Sequence, residues 1–457
     1  MPSTVRRPLT IITSLLAVVL LALAVTTPAG AQGDGRPDHA GPEQAQRDRA
    51  PAVPPRAGPP AGLPSSAAHE VWMLDQGTDL IHVLDERGNE IAEIDVSVDA
   101  LGDQDFAHTP EGDDVVPHMI EFDSEHRFAF VAATAGAATI VIDAAEKEVV
   151  EVLETGASSH MAAVTPDDSA VWIAAIGTAQ MVEIEVDLDA ATPTFEVGVS
   201  LDVAELLAPI EEENPGWEPV AGDPDGTDDG FRYASYGPVC HQYTVDDEGT
   251  TEAWITLGPG WAGGGLFVLD VDTHEVTKAW NPAEVKANCG VGVSPDGDHV
   301  VANWSGQVVP GDDTEGEWYV FDARTKELLL TESARGLDAH GLRFSPDGKW
   351  LWQVNRNTDD GLLINARNFT VVRHVPDIAD TPDIIDFSPD GRLLYISQRG
   401  PAPVSGAVHA ATGDQPGIAV VHAASGRTLR VFEPETVTVD GVVQNDIHGL
   451  AVRPLGP

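Results

Sequence analysis

The chain has 457 residues, 42% of them hydrophobic, with 74 Asp+Glu against 25 Lys+Arg and a formal net charge of −49. That much apolar material can build a large core, which excludes wholesale disorder, and a surface this acidic repels phosphate, which excludes nucleic acid and anionic membranes as partners. Two cysteines cannot staple a chain of this length, so packing has to hold it.

The first element is an address. Arg6 and Arg7 precede an apolar run from Leu9 to Val25, which ends in Ala29-Gly30-Ala31, a small-x-small cleavage pattern. Residues 1–31 therefore read as a signal peptide, and the mature protein as secreted or extracytoplasmic. The Arg pair fits an ordinary export signal better than a twin-arginine one. Residues 32–67 are rich in Pro, Ala and Gly without a period and read as a disordered linker. No later stretch is long and apolar enough to span a membrane, so no span is expected after cleavage.

Residues 68–457 carry a repeat. Glu70–Leu74, Leu80–Leu84 and Glu90–Ile94 read as three short strands. Further on, Val293-Ser-Pro-Asp-Gly297, Phe344-Ser-Pro-Asp-Gly348 and Phe387-Ser-Pro-Asp-Gly391 each mark a tight turn, with a weaker copy at Val164–Asp168 and degenerate ones at Phe122–His126 and Val245–Gly249. After each turn comes a strand with one bulky residue: Phe130, Trp172, Trp254, Trp352 or Tyr395. A third strand ends on Asp143, Asp270, Asp322 or Asn365, and a fourth follows. Four short antiparallel strands recurring at about 40–50 residues are the pattern of a β-propeller.

First strands begin near residues 118, 160, 241, 289, 340, 383 and 448, which predicts seven blades. The last first strand stops almost at the C-terminus, and its three missing strands are the N-terminal three. The two ends are therefore expected to complete one blade and close the ring.

One column of the repeat stands out. Four residues before the last apolar residue of each first strand lie His118, His160, His241, Cys289, His340, Asp383 and His448. Five of seven are His in a chain where His is 15 of 457. First strands line the central channel, so the column predicts a ring of side chains at the channel mouth, and neutral imidazole and thiolate are ligands for copper, zinc or iron. Cys289 is also a candidate disulfide partner of Cys240. Arg356 and Arg399 follow second strands on the same face and are candidates to bind an anion. His108, in the loop 97–117, is a third ligand-binding candidate. Asp338 and Asp446, two residues before His340 and His448, read as loop caps, with support of the imidazoles as the alternative. An insertion at about 186–238, with a short helix expected over Asp202–Leu207, and a second at 400–416 project from the same face.

The segment Pro382-x-x-Ile385-x-Phe387-Ser-Pro-Asp-Gly391, with Leu394-Tyr-Ile-Ser397 and Val420-Val-His422 after it, resembles the YVTN-type extracytoplasmic seven-bladed propellers. That resemblance covers roughly 69–457 and implies the fold, not an activity. The His column is similar in kind to the propeller of nitrous oxide reductase, which implies copper ahead of zinc or iron. That enzyme's activity is not implied, because the chain has no Cys-x-x-x-Cys motif.

The leading expectation is a secreted, monomeric propeller holding a metal ion or metal cofactor through the ring, with redox activity in view. The alternative is a non-enzymatic propeller binding a protein or small molecule on its loop-rich face, and a lactonase-like hydrolase comes third. Gly-x-Ser-x-Gly, P-loop, dinucleotide and haem-attachment motifs are absent from the sequence.

Overall fold

Each Ser-Pro-Asp-Gly segment closes on itself in the same way. In the copy at Ser388, its hydroxyl donates to Asp390 Oδ1 at 2.7 Å and accepts from the Leu393 N–H at 3.0 Å, while the Gly391 N–H bonds the Ser388 carbonyl at 2.8 Å. Gly391 sits at φ +68°, where a side chain is costly. Asp168 and His126 take that left-handed position in the weaker copies, at φ +59° and +56°. The Asp or Asn ending each third strand also does turn work: Asp322 accepts from the N–H groups of Arg324 and Thr325, and Asp143 from those of Ala145 and Glu146.

These turns join strands into seven four-stranded antiparallel sheets, in a computed structural model that describes residues 67–102, 114–223, 233–258, 263–306, 314–405 and 411–456. Six blades are consecutive in sequence. Their inner strands are Pro117–Phe122, Ser159–Val164, Gly237–Val245, Val291–Val293, Ala339–Phe344 and Pro382–Phe387. The seventh is composite: Ile447–Pro454 is its inner strand, followed outward by His69–Asp75, Leu80–Asp85 and Glu90–Asp95. The ends pair antiparallel, with Glu70 opposite Arg453 and Trp72 opposite Ala451, and Arg453 also reaches Glu70 at 3.1 Å. The expected seven-bladed propeller, closed by a shared blade, is the observed fold.

Burial follows strand order. Second strands such as Phe128–Ala133 and Ala170–Ala175 are buried throughout, because neighbouring blades cover both faces, so they read as continuous apolar runs. Outer strands such as Glu148–Glu154 alternate between exposed and half-buried. The bulky second-strand residues Phe130, Trp172, Trp254, Trp352 and Tyr395 are at most 1% exposed and fill the space between blades.

The insertion at 186–238 is partly blade. Residues Thr194–Asp202 are the outer strand of the second blade, and the helix runs on to Glu213, past the expected Leu207. Asp202 caps this helix by accepting from the Glu205 N–H at 2.9 Å. Val203 and Leu207 bury its inner face, and Tyr236 hydrogen-bonds Glu211. Among the described residues no helix is long and apolar enough to cross a membrane. The expected signal peptide, all but the last residue of the linker, and His108 lie outside the described residues.

Candidate metal centre at the channel mouth

The pairing register explains why the column points inward. In the blades carrying His118, His160, His340, Asp383 and His448, the inner strand slips against its neighbour at that residue: pairing jumps from Pro117 to Met119, Ser159 to Met161, Ala339 to Leu342, Pro382 to Ile385, and Ile447 to Leu450. In the third blade the slip falls on Val239 and Cys240, and His241 stays paired with Ile255. Such bulges re-aim a side chain out of the sheet. In the fourth blade the strand begins only at Val291, so Cys289 precedes it.

Glycine then lets the inner strands close up. A Cβ on Gly341 would lie 2.2 Å from the Asp383 carbonyl oxygen, and one on Gly449 would lie 2.3 Å from the His118 carbonyl oxygen. Both glycines directly follow a column histidine, so adjacent column residues come into contact.

Five column members converge. The rings of His118 and His448 stack at 3.8 Å, and His118 and His160 lie 4.3 Å apart. His340 and His448 are 6.1 Å apart, with Asp383 beside both: 3.0 Å from Asp383 Oδ1 to His340 Nε2, and 3.7 Å from Oδ2 to His448 Nε2. Donor atoms of His340, Asp383 and His448 all lie within 4.8 Å of one another. Cys289 Sγ is 2.7 Å from His340 Nδ1, so the sixth member touches the group from behind. His241 has other neighbours: its ring meets Tyr243 edge-on at 5.7 Å and its backbone N–H faces Met161 Sδ. Both cysteines are free thiols.

Hydrogen bonds fix which ring nitrogen is available. His160 Nδ1 donates to the Val239 carbonyl at 2.9 Å and His448 Nδ1 donates to the His118 carbonyl at 3.0 Å. A carbonyl only accepts, so Nδ1 carries the proton and Nε2 keeps its lone pair. Burial pushes the imidazoles down: His160 to about 3, His241 to about 4, and His118 and His448 well below the ordinary value. All four are therefore neutral at pH 7, the form that ligates a metal. Burial pushes Cys240 up to about 12 and raises Cys289 as well.

Behind the ring lies a buried ionic chain. Arg356 Nε reaches Asp338 at 2.6 Å, and its Nη1 lies 3.6 Å from Asp383. Arg399 bonds Asp383 at 2.9 Å, Asp446 through two nitrogens at 2.7 Å, and the Ser405 carbonyl at 2.7 Å. Burial would raise Asp383, but the Arg356 guanidinium beside it helps hold it well below the usual carboxylate range. The anion that Arg356 and Arg399 hold is thus the chain's own: Arg399 is fully buried, and both guanidiniums are engaged by internal carboxylates. Asp338 and Asp446 are the outer carboxylates of this chain, and Asp446 also caps a loop as expected, accepting from the Gly400 and Val404 N–H groups; packing buries both, and a buried cation requires a partner. The insertion at 400–416 contributes Ser405 to it.

The chain's charge does not cancel. Asp338, Asp383 and Asp446 bring −3 and the two arginines +2, which leaves −1 on these five buried side chains. Within that chain Asp383 Oδ1 is a buried atom that takes no hydrogen bond from the arginines and lies 3.0 Å from His340 Nε2. A buried carboxylate with one oxygen against His340 Nε2 and the other 3.7 Å from His448 Nε2 fits a cation.

Deeper in the channel, three residues along from the column, Arg343 bonds Asp386 at 3.1 Å, and burial raises Glu121 beside them to about 7. Arg343 keeps 48% of its side chain exposed, so water reaches the channel. Gln76 was not singled out in the sequence; its side-chain amide lies 3.3 Å from His118 Nδ1. It directly follows the second strand of the composite blade, the repeat position that Arg356 and Arg399 hold in their blades.

No protein-family model matches the chain, and no curated protein does. Among solved structures it is similar to the Dos1 propeller, with a TM-score of 0.52 at 12% identity over 83% of this chain and 86% of that one. It also aligns with hydrazine synthase of Kuenenia stuttgartiensis, with a TM-score of 0.49 at 13% identity over 79% of this chain and 91% of that one. At such identity the likeness to the Dos1 propeller shows the fold alone.

Proposed function

We propose that this propeller binds a transition-metal ion at the mouth of its channel, through His340, Asp383 and His448, with His118, His160 and Cys289 adjoining. The buried, unbonded Asp383 Oδ1, 3.0 Å from His340 Nε2, in a group whose His340, Asp383 and His448 donor atoms lie within 4.8 Å of one another, is the observation that carries this reading. Nitrogen-rich donors with one carboxylate suit a d-block ion rather than Ca²⁺ or Mg²⁺, and copper stands ahead of zinc and iron. When bound, the ion supplies Lewis acidity or one-electron chemistry. The chain's own contribution is orientation. Backbone carbonyls set the His160 and His448 tautomers, and Arg399 holds Asp383 Oδ2, which leaves Oδ1 against His340 Nε2. Export by the N-terminal 31 residues, a monomeric state, and a small-molecule or protein partner on the loop-rich face belong to the same proposal.

Metal content tests it. The full-length mature protein is loaded with copper, zinc and iron, dialysed and measured by mass spectrometry, beside His340→Ala/His448→Ala with its fold checked by circular dichroism. The expected result is one equivalent fewer in the double variant. A protein that retains no metal after loading, or equal stoichiometry in a folded double variant, sinks the metal reading and leaves the non-enzymatic binding propeller.

A further inference from the structure

A second group of metal-ligating side chains lies far out on the composite blade, and the axial site does not use it. His82 is on the third strand, Leu80–Asp85, with its side chain only 3% exposed. Its Nδ1 faces Glu90 Oε2 at 3.1 Å and Glu93 Oε2 at 3.9 Å, both on the outer strand. Donor atoms of the three residues lie within 4.8 Å of one another.

This convergence is built by the backbone. Glu93 pairs directly across from His82, but Glu90, three residues earlier, would point to the other face of a regular strand. The register slips between Val83 and Leu84, where the outer strand carries Ile91 as an extra residue, and that bulge returns Glu90 to the His82 side.

The charges are unlike those of other rim glutamates. Glu70 is paired with Lys147 at 2.8 Å and Glu252 with Lys326 at 2.9 Å. Among the described residues, no Lys or Arg pairs with Glu90 or Glu93. On the other side of the ring, His82 Nε2 makes no hydrogen bond and lies 3.9 Å from Asp75 Oδ2. Asp75 is occupied: it accepts from Asn445 Nδ2 at 2.7 Å and from the Asp446 N–H at 2.8 Å. Even a protonated His82 would leave Glu90, Glu93 and Asp75 two negative charges in excess.

We propose that His82, Glu90 and Glu93 form a second, peripheral site for a divalent d-block cation, zinc first. Imidazole nitrogen and carboxylate oxygen are both zinc ligands, three protein donors suffice for an open site, and the glutamates, 43% and 50% exposed, leave the remaining position for water. The ion takes the place of the Nδ1 proton and ties the outer strand to the third strand of the blade that closes the ring. This proposal does not depend on the axial site.

The test uses Zn²⁺ alone on the full-length mature protein. His340→Ala/His448→Ala, which lacks the axial donors, is titrated calorimetrically and melted with and without zinc. It is expected to bind one equivalent and to gain thermal stability. Adding Glu90→Gln/Glu93→Gln, half-exposed changes that spare the core, is expected to weaken binding at least tenfold and abolish the gain. No zinc binding by the axial variant, or unchanged affinity after the glutamate changes, overturns the proposal. If the axial variant does not fold, Glu90→Gln/Glu93→Gln in the wild-type background should bind one equivalent fewer, and equal stoichiometry overturns it. Failure of the axial reading shows separately, as equal metal content in wild type and His340→Ala/His448→Ala.

Discussion

His241 shows how burial alone sets a residue's behaviour. It has the column's residue type but lies against Tyr243 and Met161, and burial lowers it to about 4. The unfolded chain, with an ordinary histidine near 6.5, binds the proton first. Stability contributed by keeping this ring neutral is therefore complete above pH 6.5 and lost as pH falls toward 4. The loss is about 1.4 kcal/mol per pH unit. His241→Leu is expected to flatten the stability–pH slope between 6.5 and 4 by up to that amount, read from urea midpoints at several pH values. An unchanged slope would mean that the ring is solvated in the folded protein. The column was legible from its spacing, because equivalent positions in a repeat converge on one axis. Which members touch was not legible, because that depends on bulges and on glycine-permitted approaches such as Gly341 against Asp383.

At the scale of elements, the Ser-Pro-Asp-Gly turn is the unit that builds a blade. Ser388 is fully buried and makes two short hydrogen bonds, so Ser388→Ala removes a donor from Asp390 and an acceptor from Leu393. The expected cost is about 1–3 kcal/mol, seen as a lower urea midpoint with an unchanged m-value. A shift below a few tenths would mean that Pro and Gly alone hold the turn. These turns were plain in the sequence because their chemistry is local. The outer strand Thr194–Asp202 was not recognised inside the long insertion, because its half-exposed alternation is weak and its partner Gln180–Asp187 is longer than the other third strands. The Arg356 and Arg399 ion pairs were hidden for a related reason: Asp446 is 47 residues from Arg399 and meets it only when blades pack.

For the whole molecule, closure is the decisive interaction. The strand Ile447–Pro454 pairs with His69–Asp75 and also packs against the inner strands Pro117–Phe122 and Pro382–Phe387. Stopping the chain before Ile447 removes His448 and leaves the edge of His69–Asp75 unpaired, a template for aggregation. The truncated protein is expected to lose cooperative melting and to elute as aggregate in size-exclusion chromatography. A monomer with a sharp transition would show that six blades stand without the seventh.

Blade number, strand order, the shared closing blade and the inward column all follow from periodicity, because a repeat writes each short-range pattern many times over. Acidic composition likewise sets the expectation that phosphate-rich partners are repelled, without any coordinates. Folding decides the rest: five of the seven column members in mutual contact, a carboxylate oxygen left without a hydrogen bond, two arginines answered by internal aspartates, and a bulge that turns Glu90 toward His82. Each of these is a contact between residues distant in sequence or shifted in register, and its energy depends on burial and on angstrom-scale distances that no single segment encodes.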